Sequence, residues 1–166
     1  MNLKTIVLVF CCCLTHAAWS QTKSTTAAAT SSVSLQQTPK VTMAVDQNIY
    51  TEQTKDGYFT QDKEAAIMGR VFPIPFEQMT ADFNSGKAEL KYDTLEKNIL
   101  EIDGVTYLYL KQYTKREDST VIIIFYCREH KDNTSLMISG YYPDGTDNQA
   151  MDVSIKAATL SAIVNQ

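Results

Sequence analysis

The chain has 166 residues, with 15 Lys and Arg against 19 Asp and Glu, a formal net charge of −4. Nucleic acid and anionic membrane surfaces demand clustered positive charge, so this balance excludes both as expected partners. At 44% hydrophobic residues the chain can bury one core of ordinary size, and one domain is expected.

In chain order, the first segment reads as an export signal. Lys4 supplies a short basic start, Ile6 to Leu14 is apolar, and Ala18-Trp19-Ser20 places small residues where a signal peptidase reads. Residues 1–20 are therefore expected to be a signal peptide, and the mature protein to be periplasmic or secreted. Phe10 precedes Cys11, Cys12 and Cys13, and a lipid-accepting cysteine wants a small residue there. Removal of this segment leaves Cys127 as the single cysteine, so no intrachain disulfide is expected. No later apolar run is long enough to span a bilayer. Residues 21–40, QTKSTTAAATSSVSLQQTPK, hold too few large apolar groups to offset the entropy of ordering them, and read as a disordered linker. Residues 41–166 form the expected domain.

Within the domain, short strands are expected near Tyr58–Thr60 and Ala66–Phe72. Pro75–Phe83 reads as a helix, with Pro where a helix can start and Phe76, Met79 and Phe83 spaced three and then four apart. Glu96–Ile102 and Val105–Thr114 flank Asp103-Gly104, a dipeptide that tolerates positive φ at both positions and so signals a hairpin. Val121–Arg128 and Ser135–Tyr142 complete a four-strand antiparallel meander. The segment VIIIFYCR is apolar on both faces: Val121, Ile123, Phe125 and Cys127 on one, Ile122, Ile124 and Tyr126 on the other. A period-two strand of this kind is covered on both sides. The expected fold class is α+β, an antiparallel sheet with helices on both faces, an α/β/α sandwich.

A last helix is expected from about Asp147 to Val164. The preceding loop partly matches calcium-ligand spacing, with Asp144, Thr146, Asn148 and Asp152 at the first, third, fifth and ninth positions. It lacks glycine at the sixth, where Gln149 stands, and glutamate at the twelfth, where Ile155 stands. Thr146 to Gln149 fits a capping box instead, so no metal is expected. The helix carries two apolar stripes: Val153, Ala157, Leu160 and Val164, and nearly opposite them Met151, Ile155, Ala158 and Ala162. One must face the sheet; the other is available to a partner or to the rest of the domain.

Catalytic constellations are scarce. His130 lies in the charged loop REHKDN, Cys127 sits mid-strand as a small hydrophobe, and no Gly-rich phosphate loop or zinc spacing occurs. No catalytic residue, metal or cofactor is expected. Tyr107, Tyr109 and Tyr113 share one strand face and offer either a ring platform for a small molecule or glycan, or packing under a helix. The candidate binding residues are these three tyrosines together with Met151 and Ile155.

The succession YFTQDKEAAIMGRVFPIPFEQMTADF, EIDGVTYLYL, VIIIFYC, SLMISGYYP and SIKAATLSAI resembles the PsbP-like family, a fold also found in a small Ran-binding nuclear import factor and in bacterial envelope and secretion-chaperone proteins. The likeness spans about residues 45–166 and includes Gly140-Tyr141-Tyr142-Pro143 and Leu160-Ser161. It implies a helix-covered antiparallel sheet and a non-enzymatic adaptor, with no catalytic residues to carry over. The leading expectation is thus an exported interaction module for an unknown protein or peptide. A glycan or small-molecule binder is the alternative, and an enzyme the third.

Overall fold

The computed structural model describes residues 39–166, apart from residues 56, 89–91, 117–118, 132, 146 and 166. The expected signal peptide and nearly all of the linker lie outside the described residues. Nine strands and two helices follow in chain order among those described: β1 (Lys40–Thr42), β2 (Glu52–Gln53), β3 (Tyr58–Phe59), β4 (Ala66–Phe72), α1 (Phe76–Asn84), β5 (Asp93–Ile102), β6 (Val105–Arg116), β7 (Ser119–Glu129), β8 (Ser135–Pro143), α2 (Asn148–Leu160) and β9 (Ile163–Asn165). Seven strands form one antiparallel sheet in the order β2-β3-β4-β8-β7-β6-β5, and β1 pairs with β9 apart from it.

The meander β5 to β8 is as the sequence reads. Asp103 and Gly104 take φ of 52° and 76°, the two positive values a type I′ turn requires, and Ile102 pairs with Val105 across it. The strand β4 comes from earlier in the chain and pairs with β8, with Ala66 opposite Tyr141 and Phe72 opposite Ser135. The connection that carries α1 therefore runs from one side of the meander to its far edge at β5. A proline, Pro75, caps α1 at its start, as its missing N–H allows.

Strand β7 lies between β6 and β8, and its two faces belong to two separate cores. Ile122, Ile124 and Tyr126 are buried with Tyr107, Tyr109, Ile138 and Tyr142, and with Met151, Ile155 and Ala158 of α2. Ile123, Phe125 and Cys127 are buried with Leu108, Leu110 and Phe83, while Phe76 and Met79 of α1 pack at the margin. The alternation along VIIIFYC thus assigns each side chain to the face expected of it.

Close approach of α2 depends on a missing side chain. A Cβ on Gly140 of β8 would lie 2.5 Å from Ile155 Cδ1, inside any real contact distance. Ile155, with no exposed surface, fills the space that glycine leaves.

The last helix differs from the expectation at both ends. Thr146, half of the expected capping box, lies outside the described residues, and the N-cap is Asp147, whose Oδ1 accepts from Ala150 N at 3.1 Å. The helix stops at Leu160 rather than near Val164. Ser161 ends it, its hydroxyl donating back to Ala158 O, and the β-branched pair Ile163-Val164 instead forms β9 against β1.

Candidate functional site

The interior beneath α2 is polar in a way the sequence reading missed. Lys111 shares the strand face of Tyr107, Tyr109 and Tyr113, and its Nζ reaches Asp152 Oδ2 of α2 at 2.6 Å. The lysine side chain is 14% exposed and the carboxylate 35%, so the pair is only partly screened by water. Tyr142 of β8 donates its hydroxyl to the other oxygen, Asp152 Oδ1. One carboxylate therefore ties the helix to two strands, and Lys111 neutralises the charge that burial would otherwise penalise. The period-two pattern YLYLKQY carried the signal, since it sets Lys111 among tyrosines on an inward face.

Around this pair the phenols are held protonated. Burial, then the Asp152 and Glu96 carboxylates, push Tyr126 up to about 12. Burial raises Tyr109 further, helped by the charge of Glu96, to which its hydroxyl donates. Tyr142 is raised by burial and by its bond to Asp152. Tyr50 is pushed up to about 12 by burial, partly offset by the neighbouring Ser154 hydroxyl. With their protons held by burial and by neighbouring carboxylates, these phenols brace the fold.

Of the five residues chosen from the sequence, four lie inside. Tyr107 and Tyr109 are buried against Tyr126, at ring-centroid distances of 6.4 and 4.9 Å, and no open ring platform remains at them. Tyr113, at the strand's outer end, is half-buried with its hydroxyl on Asp93. Met151 and Ile155 are buried in the same core. The helix is thus turned so that the Met151–Ile155–Ala158 stripe meets the sheet, and Val153 and Leu160 of the opposite stripe face outward. The reason is steric: Gly140 opens a recess for Ile155, and Asp152, one step round the wheel, must reach Lys111.

Two surface grooves flank these elements. One, of about 330 Å³, runs between the 44–49 segment and the outward face of α2, lined by Ala44, Asp46, Ile49, Ala150, Val153, Ser154 and Ala157. The other, of about 500 Å³, lies at the end of the sheet by the β5–β6 turn and the β7–β8 loop, beside Phe76, Arg128, His130 and Lys131. The Arg128 guanidinium there donates to the carbonyls of Glu129 and Ala162. The residues of the calcium-like loop separate: Asp144 accepts from Asn148 Nδ2, while Asp152 turns inward to Lys111. Among the described residues no three His, Cys, Asp or Glu side chains are grouped to hold a metal ion. Cys127 is buried, and burial pushes its thiol up to about 12, against a smaller opposing effect of a hydrogen bond with Ser135. That makes it a poor nucleophile. No described helix is long and apolar enough to cross a membrane.

The fold and this interior define a small α+β module, an antiparallel sheet braced by a buried tyrosine cluster. Its likeness to known proteins is one of fold. LpqN of Mycobacterium tuberculosis, described as involved in cell envelope biogenesis, matches with a TM-score of 0.55 at 7% identity, over 77% of this chain and 84% of that one. A protein of Bacteroides thetaiotaomicron matches with a TM-score of 0.54 at 9% identity, over 76% of this chain and 46% of that longer one. Cyanobacterial PsbP from Synechocystis matches at 0.47 and 8% identity, over 75% of this chain and 92% of that one. The sequence resemblance implied an antiparallel sheet packed with helices, the kind of fold found here. No family model and no curated protein matches the chain.

Proposed function

We propose that this chain is a non-enzymatic binding module of the cell envelope, one that takes a protein or peptide against the outward face of α2. The observation that carries the reading is the row Val153 and Leu160, seven residues apart on one helix face and 61% and 44% exposed, beside the 330 Å³ groove. Ile163, 62% exposed, is a further apolar side chain shortly after the helix end. Apolar side chains in file along a groove are how helices and extended segments are held. Residues Tyr107, Tyr109, Met151 and Ile155 then act from below, as the bed that holds α2 in place, with Tyr113 at its margin. In this reading α1 and α2 serve as the two outer layers of an α/β/α sandwich, and the module works outside the cytoplasm after loss of residues 1–20. The fold shared with LpqN supports the envelope assignment, although a fold alone does not fix a function.

Photo-crosslinking in the native host tests it. A photoreactive residue at Val153 or Leu160 is expected to give one discrete adduct with an envelope polypeptide, and Val153→Asp to abolish the adduct formed from position 160. Equal adducts from a control position at Lys131, or none from either helix position, would speak against the reading.

A further inference from the structure

Strand β5 ends the large sheet, and no described strand pairs with its outer side. It is ten residues long, with Leu95 49% and Ile99 51% exposed. An open edge of this length invites another strand unless something defends it.

The turn geometry tells which of its groups face outward. In a two-residue type I′ hairpin the flanking residues, here Ile102 and Val105, exchange both backbone hydrogen bonds. Alternation then directs Leu100 and Asn98 to β6, and turns the N–H and C=O groups of Lys97, Ile99 and Glu101 to the open edge. The ladder is regular from Ile102 back to Glu96; a bulge interrupts it only between Thr94 and Glu96.

We propose that two copies of this chain join edge to edge through β5, in antiparallel register centred on Ile99. A two-fold axis there opposes Ile99 to Ile99 of the second copy, and Lys97 to its Glu101 twice over. All three outward-facing residues of each strand then exchange backbone hydrogen bonds, and both charged pairs are of opposite sign. The neighbouring registers do worse. Centring on Lys97 opposes two ammonium groups, centring on Glu101 opposes two carboxylates, and centring on Asn98 leaves both charges without an opposite partner. The side chains are suitably placed: Lys97 lies over the Phe83 ring at 5.0 Å, and Glu101 accepts from Thr106, both on the α1 side of the sheet. This edge is distinct from the α2 surface assigned above to another protein, so either assignment can fail alone.

Sedimentation of the purified chain up to about 1 mM tests the pairing. A dimer is expected, and Lys97→Glu or Glu101→Lys alone should weaken it by about tenfold or more. The exchange Lys97→Glu with Glu101→Lys should restore it to within about threefold of the parent. Hydrogen exchange at the amides of Lys97, Ile99 and Glu101 should slow as concentration rises. Thermal unfolding of each variant in dilute solution controls for loss of fold. Ile99→Lys, at an exposed position, gives an independent route by placing like charges on the axis. A chain monomeric at every concentration overturns the proposal. So does a dimer indifferent to the single reversals, or an exchange that fails to restore one. Protection of β5 by an added peptide while the chain stays monomeric would likewise assign the edge to a different occupant.

Discussion

The two faces of β7 are equally buried and chemically unlike. Toward α1 lie Ile123, Phe125 and Cys127 against Phe83, Leu108 and Leu110, a face held by apolar contact. Gln112 is a buried amide on this face, donating weakly to Tyr92 O and Thr94 Oγ1 at 3.4 Å, while its Oε1 meets no hydrogen-bond donor among the described residues. Toward α2 lie six buried tyrosines and a lysine–aspartate pair. Apolar packing tolerates sliding, whereas hydrogen bonds and charges require register. The α2 face therefore fixes where its helix sits, and the α1 face adds burial with less geometric demand.

Alkaline pH should separate the faces most sharply. A phenol whose folded pKa exceeds its unfolded value keeps its proton in the native state. Its contribution is complete below pH 10 and is lost as pH rises from there. Tyr50 and Tyr126 lose theirs between about 10 and about 12, and Tyr109 and Tyr142 shift in the same direction. Each such tyrosine removes about 1.4 kcal/mol per pH unit across its window, so together they can exhaust an ordinary domain's stability. Circular dichroism against pH should show cooperative unfolding in this range, and Tyr126→Phe should displace the midpoint upward. An unchanged midpoint in that variant would remove the tyrosine cluster from the explanation.

Truncation on each face comes next. Ile155→Ala should cost about 3–4 kcal/mol in urea unfolding, because Gly140 leaves nothing else to fill the recess. Phe83→Ala should cost about 3 kcal/mol if α1 is as firmly seated. A loss below about 1 kcal/mol there would mean that α1 rests on the sheet without stabilising it.

Smaller again is the polar anchor. Asp152→Ala strands Lys111 and the Tyr142 hydroxyl and should cost about 2 kcal/mol, discounted for the carboxylate's partial exposure. Lys111→Met combined with Asp152→Leu should recover most of that loss, since apolar replacement of both partners removes the stranded charge. If the double variant is no better than the single, the anchor acts through Tyr142 and not through the charge pair. Least of all, Asp147→Ala removes the helix cap and should lower stability by about 1 kcal/mol, drawing the alkaline midpoint down only in proportion to that loss.

Local pattern was enough to read the meander, the Asp103-Gly104 turn and the two-faced burial of VIIIFYC. Each depends only on period-two alternation and on which residues accept positive φ, properties carried by a few neighbours in sequence. The helix boundaries were less legible, because Ile163-Val164 continues the apolar pattern of α2 while its β-branched side chains suit a strand. A partner strand, β1, decided the matter. The candidate site was legible as residue types and not as roles. Tyr107, Tyr109, Met151 and Ile155 stand out in the sequence as candidate binding residues, with packing under a helix as the other reading, and they are interior.

The sequence by itself determined that a central strand is buried on both sides, that a hairpin turns at Asp103-Gly104, and that a helix with two apolar stripes closes the domain. Only the tertiary structure decided which stripe faces in, that β4 pairs beside β8, and that Lys111 meets Asp152 across 41 positions of chain. The physical reason is range. Alternation and turn chemistry act between neighbours, whereas the choice between two equally apolar stripes depends on a glycine recess and a lone lysine that the chain supplies from distant strands.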